Sequence, residues 1–329
     1  MSTALSSDIS LAPLEGFGHL LELQCPLCGW RIGTLPDNEP AKCSQCGFTI
    51  SLADGIYRAL SPERKEYFSR FLADYQTIRE KEGRGSDSAD YYLALPFHDL
   101  SGNSRWQWSI RARTFNHLLK RILPRIEAEY PGGADILDIG AGNGWFSYQL
   151  ARRGHRPIAL DLVDNAADGL GAGRHYLSRL DKLFPRFQAE MDRMPFAPCQ
   201  FDCAVFNAAF HYSENYLTTL KEAVRCLRRP GFLVIMDSPF YRRQESGQQM
   251  LKERRAEFQR RFGFASDSIQ SEEFVTAERL SALSRQLGLR WRIEKPWYGI
   301  RWALRPLKAY LASKREPAKF HLIWTRVDR

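Results

Sequence analysis

The sequence lacks any apolar run approaching the roughly 18 residues of a membrane-spanning helix, so no such helix is expected. It also lacks internal repeats and low-complexity tracts, which argues against repeat and fibrous architectures. The 329 residues, of which 44% are hydrophobic, are instead typical of a globular chain with more than one domain.

Cysteine is scarce, yet four of the seven cysteines form two CxxC pairs, each followed by a glycine. The pairs are separated by 14 residues, which is close to the spacing of a structural zinc site. Four thiolates complete the tetrahedral coordination of Zn²⁺ and leave no open position for a substrate. The sequence therefore predicts a structural zinc ion held by Cys25, Cys28, Cys43 and Cys46.

Residues 1–24 show no basic-then-apolar pattern and carry the acids Asp8, Glu15 and Glu22, so no secretory signal is expected in them. This argues against a disulfide framework and favours a reducing, cytoplasmic location. The remaining cysteines lie in or near predicted core segments, where cysteine behaves as a small hydrophobe: Cys199, Cys203 and Cys226.

The most informative segment is Ile136-Leu-Asp-Ile-Gly-Ala-Gly-Asn-Gly144, an apolar run that leads into three alternating glycines. It predicts a buried strand, a tight turn and a helix that begins at Trp145. A second strand, Pro157–Asp161, ends in a carboxylate 21 residues after Gly140. That is the position of the acid that accepts ribose hydroxyls in a doubly wound sheet, so an adenosine-containing cofactor is expected.

The dinucleotide fingerprint GxGxxG is absent, because its third glycine would stand where Trp145 is. The pattern is GxGxG instead, and it resembles motif I of the class I methyltransferases that use S-adenosylmethionine (SAM). Three further segments resemble that family in the same order: Glu190–Phe196 after strand three, Phe201–Tyr212 in strand four and motif IV, and Glu222–Gly231 before strand five at Phe232–Asp237. The resemblance covers about residues 131–240, and its one departure is Phe232 in place of a second glycine.

The resemblance implies an α/β fold, a Rossmann-like seven-stranded sheet with helices on both faces, preceded by a small zinc ribbon. We expect a zinc ribbon at 1–60, a helical linker and lid at 61–130, and the SAM-dependent methyltransferase domain at 131–329, with a helical cap at about 241–289. Helices are predicted at Pro62–Glu82, with Ser61 as N-cap and Gly83 as stop, and at Trp106–Leu123, ended by Pro124. Strands at Trp291–Lys295 and Phe320–Val327 would be the sixth and seventh of the sheet.

The same resemblance assigns the site residues. Those expected to contact SAM are Asp138, Gly140, Ala141, Gly142, Gly144, Asp161, Leu162, Met191, Asp192 and Asn207. Those expected at the site of methyl transfer are His211, Tyr212 and Asp237. His211 is a candidate general base because its ordinary pKa is about 6.5, Tyr212 a candidate wall, and Asp237 a strand-end acid within reach; packing or capping roles remain alternatives.

A lid over SAM is expected from the segment before the first strand. Tyr91 or Tyr92 would cover the sulfonium through cation–π attraction, and Arg111 or Arg113 would meet the methionine carboxylate. The alternative is that this segment presents a packing face and solvated arginines.

Positive charge is concentrated at the C-terminus, where residues 285–329 hold 12 Lys or Arg and 3 Asp or Glu. The rest of the chain balances at 35 of each sign. Within this region the segment 297–319 interleaves aromatic and basic residues. It is interpreted as an RNA contact, as a peripheral contact with an anionic membrane, or as a solvated face.

The methyl acceptor is the least determined feature. Asn207-Ala-Ala-Phe lacks the prolines of the Asn-Pro-Pro-Tyr turn found in base-amine methyltransferases, and the zinc module lacks basic stripes. We therefore expect O- or C-methylation of a small metabolite or of a lipid-linked or sugar-type acceptor. The alternatives are an RNA base methyltransferase docked by the zinc ribbon, and a catalytically silent SAM-binding module.

Overall fold

A long mixed β-sheet forms the centre of the protein in the computed structural model, which describes residues 21–36 and 38–328. Residues 1–20, which fall in the predicted zinc ribbon, lie outside the described residues, as do Asp37 and Arg329. The strands are β1 (Glu22–Gln24), β2 (Arg31–Thr34), β3 (Ala41–Lys42), β4 (Thr49–Ala53), β5 (Ile56–Arg58), β6 (Asp135–Ile139), β7 (Arg156–Asp161), β8 (Arg186–Gln188), β9 (Phe201–Asn207), β10 (Leu227–Met236), β11 (Pro239–Tyr241), β12 (Val275–Thr276), β13 (Arg292–Glu294), β14 (Lys319–Phe320) and β15 (Leu322–Val327). The α-helices are α1 (Pro62–Lys81), α2 (Ala89–Ala94), α3 (Arg105–Arg121), α4 (Leu123–Glu129), α5 (Trp145–Ala151), α6 (Tyr216–Cys226), α7 (Gln244–Phe262), α8 (Ala277–Leu287), α9 (Ile300–Ala303) and α10 (Arg305–Leu311), with 3₁₀ segments at Leu170–Ser178 and Phe210–Tyr212.

The central sheet has the strand order β13-β15-β10-β9-β6-β7-β8-β5-β4-β3. The strands from β10 to β8 are parallel, and β15 runs antiparallel between β10 and β13. β7 and β8 lie on one side of β6, whereas the later strands β9 and β10 lie on the other side. Ligands of such sheets bind where the strand order switches, so the crevice at the carboxyl ends of β6, β7 and β9 is the expected ligand site. The predicted α/β, Rossmann-like fold is confirmed.

The sheet has ten strands where seven are expected, because residues of the predicted zinc ribbon extend it. β5 pairs in parallel with β8, so that Tyr57 lies opposite Phe187 and their rings stack 5.0 Å apart. β4 and β3 then continue the edge in antiparallel pairs. The N-terminal segment is thus joined to the main sheet by backbone hydrogen bonds as well as by the covalent chain.

Side chains alternate between the two faces of the buried central strands. In β6, Leu137 and Ile139 pack in one cluster with residues of α6 and α8, while Ile136 packs in the other cluster with residues of α3 and α5. In β9, Ala204 and Phe206 belong to the first cluster. This period-two alternation in a fully apolar strand is what places helices on both faces of a parallel sheet.

The helix boundaries follow local chemistry. Ser61 caps α1 by accepting a hydrogen bond from the Arg64 N–H at 3.2 Å, and Gly83 follows its end with φ +64°, as expected. The predicted helix does end before Pro124, but two residues earlier than the predicted end at Leu123. α3 ends at Arg121, and Pro124 lies in the first turn of α4, where no helical N–H bond is lost.

The predicted cap contains α7 and α8 and also β-structure, since β12, β11 and β14 form a separate three-stranded sheet. β11 follows β10 directly and β14 precedes β15, so this small sheet stands at the carboxyl end of the central one. Among the described residues, none of the helices combines the length and hydrophobicity needed to cross a bilayer.

Candidate functional site

An open cavity, with about 830 Å³ of empty space that includes its solvent-filled mouth, lies at the carboxyl ends of β6, β7 and β9. The glycine turn after β6 forms one side, and α1 and the segment after β9 form the other. Seven of the ten residues predicted to contact a cofactor line this cavity: Gly140, Ala141, Gly142, Asp161, Leu162, Met191 and Asn207.

The other three predicted contacts lie outside the lining of this cavity. Asp138 is buried and accepts a hydrogen bond from Ser147 Oγ at 2.7 Å, and burial raises its pKa to about 7. Gly144 precedes α5 with φ +77°, and Asp192 accepts a hydrogen bond from Thr219. Asp138 and Asp192 thus connect to helices α5 and α6, and Gly144 directly precedes α5. The predicted contact of these three residues with a cofactor stays a prediction.

The glycine turn is fixed to the neighbouring strand. The N–H groups of Gly140 and Ala141 both donate to the Leu160 carbonyl, at 2.7 and 3.0 Å. Gly140 has φ +76°, and a Cβ there would lie 2.2 Å from the Cβ of Ala209. No residue other than glycine fits this position, because both the backbone conformation and the space exclude a side chain.

Asp161 stands at the end of β7 and faces the cavity. Its Oδ1 accepts the N–H of Val163 at 2.8 Å and its Oδ2 accepts the N–H of Gly142 at 2.7 Å. Each carboxylate oxygen keeps a second lone pair, which suits it to accept a ligand's hydroxyl groups. Burial raises the pKa of Asp161 to about 6.

Aromatic rings from two elements cover the cavity. Phe71 and Tyr75 of α1 approach Tyr212, with ring centroids 6.1 and 6.2 Å from that of Tyr212. The Tyr75 hydroxyl accepts a hydrogen bond from Arg79 at 2.6 Å. Sequence reasoning missed this roof, although Phe71, Tyr75 and Arg79 share one helix face at four-residue spacing.

The tyrosines expected to form the lid do not line the cavity. Tyr91 and Tyr92 are buried in the core, where Tyr92 stacks on His175 at 4.5 Å and donates to the Ala167 carbonyl at 2.6 Å. Their helix, α2, packs against the 3₁₀ segment instead of over the cavity. Arg113 donates to the Tyr298 carbonyl, whereas Arg111 lines the cavity.

A second open cavity, with about 670 Å³ of empty space that includes its mouth, adjoins the first. Tyr212, Ala208 and three arginines line both, and His211 and Asp237 line only the second. The three residues predicted at the site of chemistry therefore lie around one space, next to the cavity that holds the glycine turn.

The shared arginines differ in their partners. Arg79 forms an ion pair with Asp168 at 3.4 Å, and Arg84 forms one with Glu82 at 3.3 Å. Arg111 stacks over the Trp108 ring at 4.8 Å, and no carboxylate of the described residues lies within ion-pair distance of it. Arg111 is thus the guanidinium best placed to meet an anionic group of a ligand.

His211 is neutral at ordinary pH. Its Nδ1 lies 3.3 Å from Ser238 Oγ, and desolvation lowers the pKa of the imidazole to about 4. A weakly basic imidazole accepts a hydrogen bond but holds a transferred proton poorly.

Asp237 is 6% exposed and has φ +54°, a conformation uncommon for a residue other than glycine. Its Oδ1 accepts a hydrogen bond from Thr114 Oγ1 at 2.6 Å, and that hydroxyl lies 2.7 Å from the Tyr298 hydroxyl. Its Oδ2 is buried and has no hydrogen-bond partner among the residues that the structure describes. Burial raises the pKa of Asp237 to about 6, which suits proton transfer near neutral pH.

The four N-terminal cysteines come together in space, and none of them lines either cavity. All four Sγ atoms lie within 4.8 Å of one another, with the Cys25–Cys46 and Cys28–Cys43 distances both 3.6 Å. Zn–S bonds of about 2.3 Å place tetrahedral sulfurs roughly 3.8 Å apart, so this cluster fits a zinc ion.

Part of the chain matches a known domain family. Residues 137–235 match the family model described as "Methyltransferase domain", which confirms the resemblance stated above. Curated relatives include the ubiquinone/menaquinone biosynthesis C-methyltransferase of Rhizobium rhizogenes, 20% identical over 50% of this chain and 62% of that protein. Another is the malonyl-[acyl-carrier protein] O-methyltransferase of Erwinia pyrifoliae, 29% identical over 34% of this chain and 40% of that protein.

The chain spans less than two thirds of the length of these curated relatives. Among solved structures, the 1,6-didemethyltoxoflavin-N1-methyltransferase of Burkholderia thailandensis, solved with S-adenosylhomocysteine, is 16% identical. The match covers 88% of this chain and all of that one, with a TM-score of 0.43.

Proposed function

Because residues 137–235 match a methyltransferase domain, we propose that this chain transfers the methyl group of SAM to a small-molecule acceptor, free or linked to a lipid or sugar. The transfer would be an O- or C-methylation. The observation that carries the proposal is the pair of adjoining cavities, one formed by the glycine turn and Asp161 and the other containing Asp237.

The first cavity has the groups that SAM requires. Asp161 would accept the ribose hydroxyls, Leu162 and Met191 would flank the adenine, and Arg111 would pair with the methionine carboxylate. The aromatic roof of Phe71, Tyr75 and Tyr212 would face the positive sulfur. SAM supplies a methyl group on a sulfonium, which leaves as a neutral thioether when the C–S bond breaks.

The second cavity supports the acceptor's part of the reaction. The unpartnered Oδ2 of Asp237 would take the proton from the acceptor's hydroxyl or carbon acid as the new bond to the methyl forms. Thr114 would hold the carboxylate in place through Oδ1. Tyr212, which lines both cavities, would help exclude water where the two ligands meet, so that most of the rate comes from positioning.

Replacing Tyr75 by leucine should weaken SAM binding roughly 2- to 30-fold, because cation–π attraction contributes about 0.5–2 kcal/mol. Isothermal titration of SAM measures the change. Tyr75→Phe keeps the ring and should bind nearly as the wild type does. Tyr67→Leu, on the same helix but 43% exposed and outside the cavity, should have no effect. Equal losses for Tyr75→Leu and Tyr67→Leu would remove the aromatic roof from the proposal.

The reaction is tested with SAM carrying a labelled methyl group, the purified protein and a native extract, followed by separation into RNA, protein and small-molecule or organic-soluble fractions. Label in the last fraction supports the proposal and provides the acceptor for mass analysis. Label that nuclease releases would favour the RNA methyltransferase, and SAM binding without any transfer would favour the silent module.

We also propose that the cysteine cluster binds a structural zinc ion and that the protein acts in the cytoplasm. The four convergent thiols support the metal. Cysteines gathered to hold a metal ion fit a reducing compartment.

A further inference from the structure

One face of the α9–α10 segment is apolar and exposed. The Leu304 N–H donates to the Ile300 carbonyl and the Lys308 N–H to the Leu304 carbonyl, both at 3.0 Å, so the two short helices form a nearly continuous one. The residues that recur at helical spacing on one side are exposed to 70, 42, 54 and 74%: Ile300, Leu304, Leu307 and Leu311. We call these four residues the apolar stripe. A helix normally buries such a stripe, and here the described residues leave it uncovered.

The segment that carries the apolar stripe bears only positively charged residues. Residues 297–315 contain five Lys or Arg and no Asp or Glu. Arg315 pairs with Glu253 at 2.6 Å, which leaves four cations along the segment: Arg301, Arg305, Lys308 and Lys314. The aromatic residues Trp297 and Tyr310 are 68% and 80% exposed. Apolar, aromatic and basic side chains on one exposed helix are typical of segments that lie in the surface of an anionic bilayer.

The segment that carries the apolar stripe packs against the lining of the second cavity. The Trp302 ring packs on Tyr298 and Phe320, with centroids 4.9 and 5.6 Å apart, and Phe320 lines that cavity. On the neighbouring α3, Trp106 packs on Trp302 at 6.1 Å and is 53% exposed. The exposed apolar surface therefore continues to the edge of the space that contains Asp237.

We propose that α9 and α10 dock this protein on the surface of an anionic phospholipid bilayer, and that the second cavity takes an acceptor whose lipid chain remains in that bilayer. Leucine and isoleucine of the apolar stripe enter the acyl boundary, and the four cations contact the headgroups. The docking part of the proposal depends only on the exposed surface of α9 and α10, whereas the lipid-linked acceptor also rests on the proposed methyl transfer.

The test is sedimentation of the purified full chain with phosphatidylcholine vesicles, with and without phosphatidylglycerol. The wild type should bind the vesicles that contain phosphatidylglycerol, and salt should weaken that binding. Leu307→Glu/Leu311→Glu should abolish it. Arg301→Glu/Lys308→Glu should weaken it roughly 20-fold or more, since each basic residue near an anionic surface contributes about 5-fold. All four positions are exposed, so the fold should tolerate the changes.

The matched control is Lys252→Glu/Arg255→Glu, an equal charge change at exposed positions of α7, which should leave vesicle binding within about 2-fold of the wild type. An equal loss in this control would show that net charge alone drives binding and would overturn the proposal. Two other results would also overturn the proposal, if the wild type fails to bind vesicles. One is binding to RNA that the apolar-stripe variant loses, and the other is dimerisation in solution that this variant loses. The labelled-methyl transfer assay separates the two proposals. Methyl transfer without vesicle binding refutes docking only, and vesicle binding without methyl transfer refutes the reaction only.

Discussion

Replacing Asp237 by asparagine should lower kcat by roughly 10²- to 10⁴-fold, the usual contribution of a general base, while SAM affinity stays close to that of the wild type. The pH dependence follows from the pKa of about 6. Only the carboxylate accepts a proton, so kcat at saturating SAM should rise with pH through about 6 and then level off. Asp237→Asn should lack this rise. Saturating SAM is required because Asp161, also with a pKa of about 6, faces the first cavity.

Two variants identify the group that titrates. Thr114→Val removes the donor to Asp237 Oδ1 with little change of shape, so the pKa of the carboxyl should increase and the rise in kcat should move to higher pH. His211→Gln should keep the rise at its original pH, because the imidazole titrates at about 4. An unchanged pH profile in Asp237→Asn, or one abolished by His211→Gln, would assign the base elsewhere.

The parts of the site that sequence could predict are those that local backbone chemistry dictates. The alternating glycines require a tight turn after a buried strand, and Asp161 follows the next strand, so their positions are set by the order of elements. The roof formed by Phe71 and Tyr75 depends on how α1 packs over that turn. Helical spacing shows which α1 residues share a face, but not which cavity that face covers.

Tyr91 and Tyr92 were expected over the sulfonium because they precede the first strand, and they pack in the core instead. Two adjacent aromatic residues do not by themselves show whether their side chains pack in the core or line a cavity, since both places lower their exposure to water. Asp237 shows the converse. Its strand-end position is visible in the sequence, but its unpartnered oxygen and its raised pKa arise from burial by segments that are distant along the chain.

The division of the chain near residues 60 and 130 stays a prediction. The CxxC pairs predict a cluster, because each CxxCG turn directs two thiolates to one ion. The spacing of the CxxC pairs does not predict that β5 pairs with β8, because the paired residues are more than a hundred positions apart. That pairing makes the metal cluster relevant to the first cavity.

Removing the metal by chelation, or replacing Cys46 by serine, should lower the Tm and weaken SAM binding together. Structural zinc contributes on the order of 10 kcal/mol to the folding of small modules, and each kcal/mol lost lowers the Tm of a domain by roughly 2–4 °C. β5 pairs with β8, and the Ala59 N–H donates to the Gln188 carbonyl at 2.8 Å. Ala189 and Met191 follow β8 and line the first cavity, so loosening the module should reduce SAM affinity about 10-fold, or ~1.4 kcal/mol.

Scanning calorimetry, SAM titration and metal analysis check this prediction on one preparation. Cys199→Ser is the matched control, because Cys199 is also exposed but lies outside the cluster. It should keep one bound zinc, the wild-type Tm and the wild-type affinity. A lower Tm with unchanged SAM affinity would mean that β8 holds its cavity residues without β5. A protein that purifies without zinc and is unaffected by Cys46→Ser would contradict the metal site itself. Because Cys43 and Cys46 lie in the turn between β3 and β4, in the same sheet whose strand β8 leads into Ala189 and Met191, the linked loss is the expected outcome.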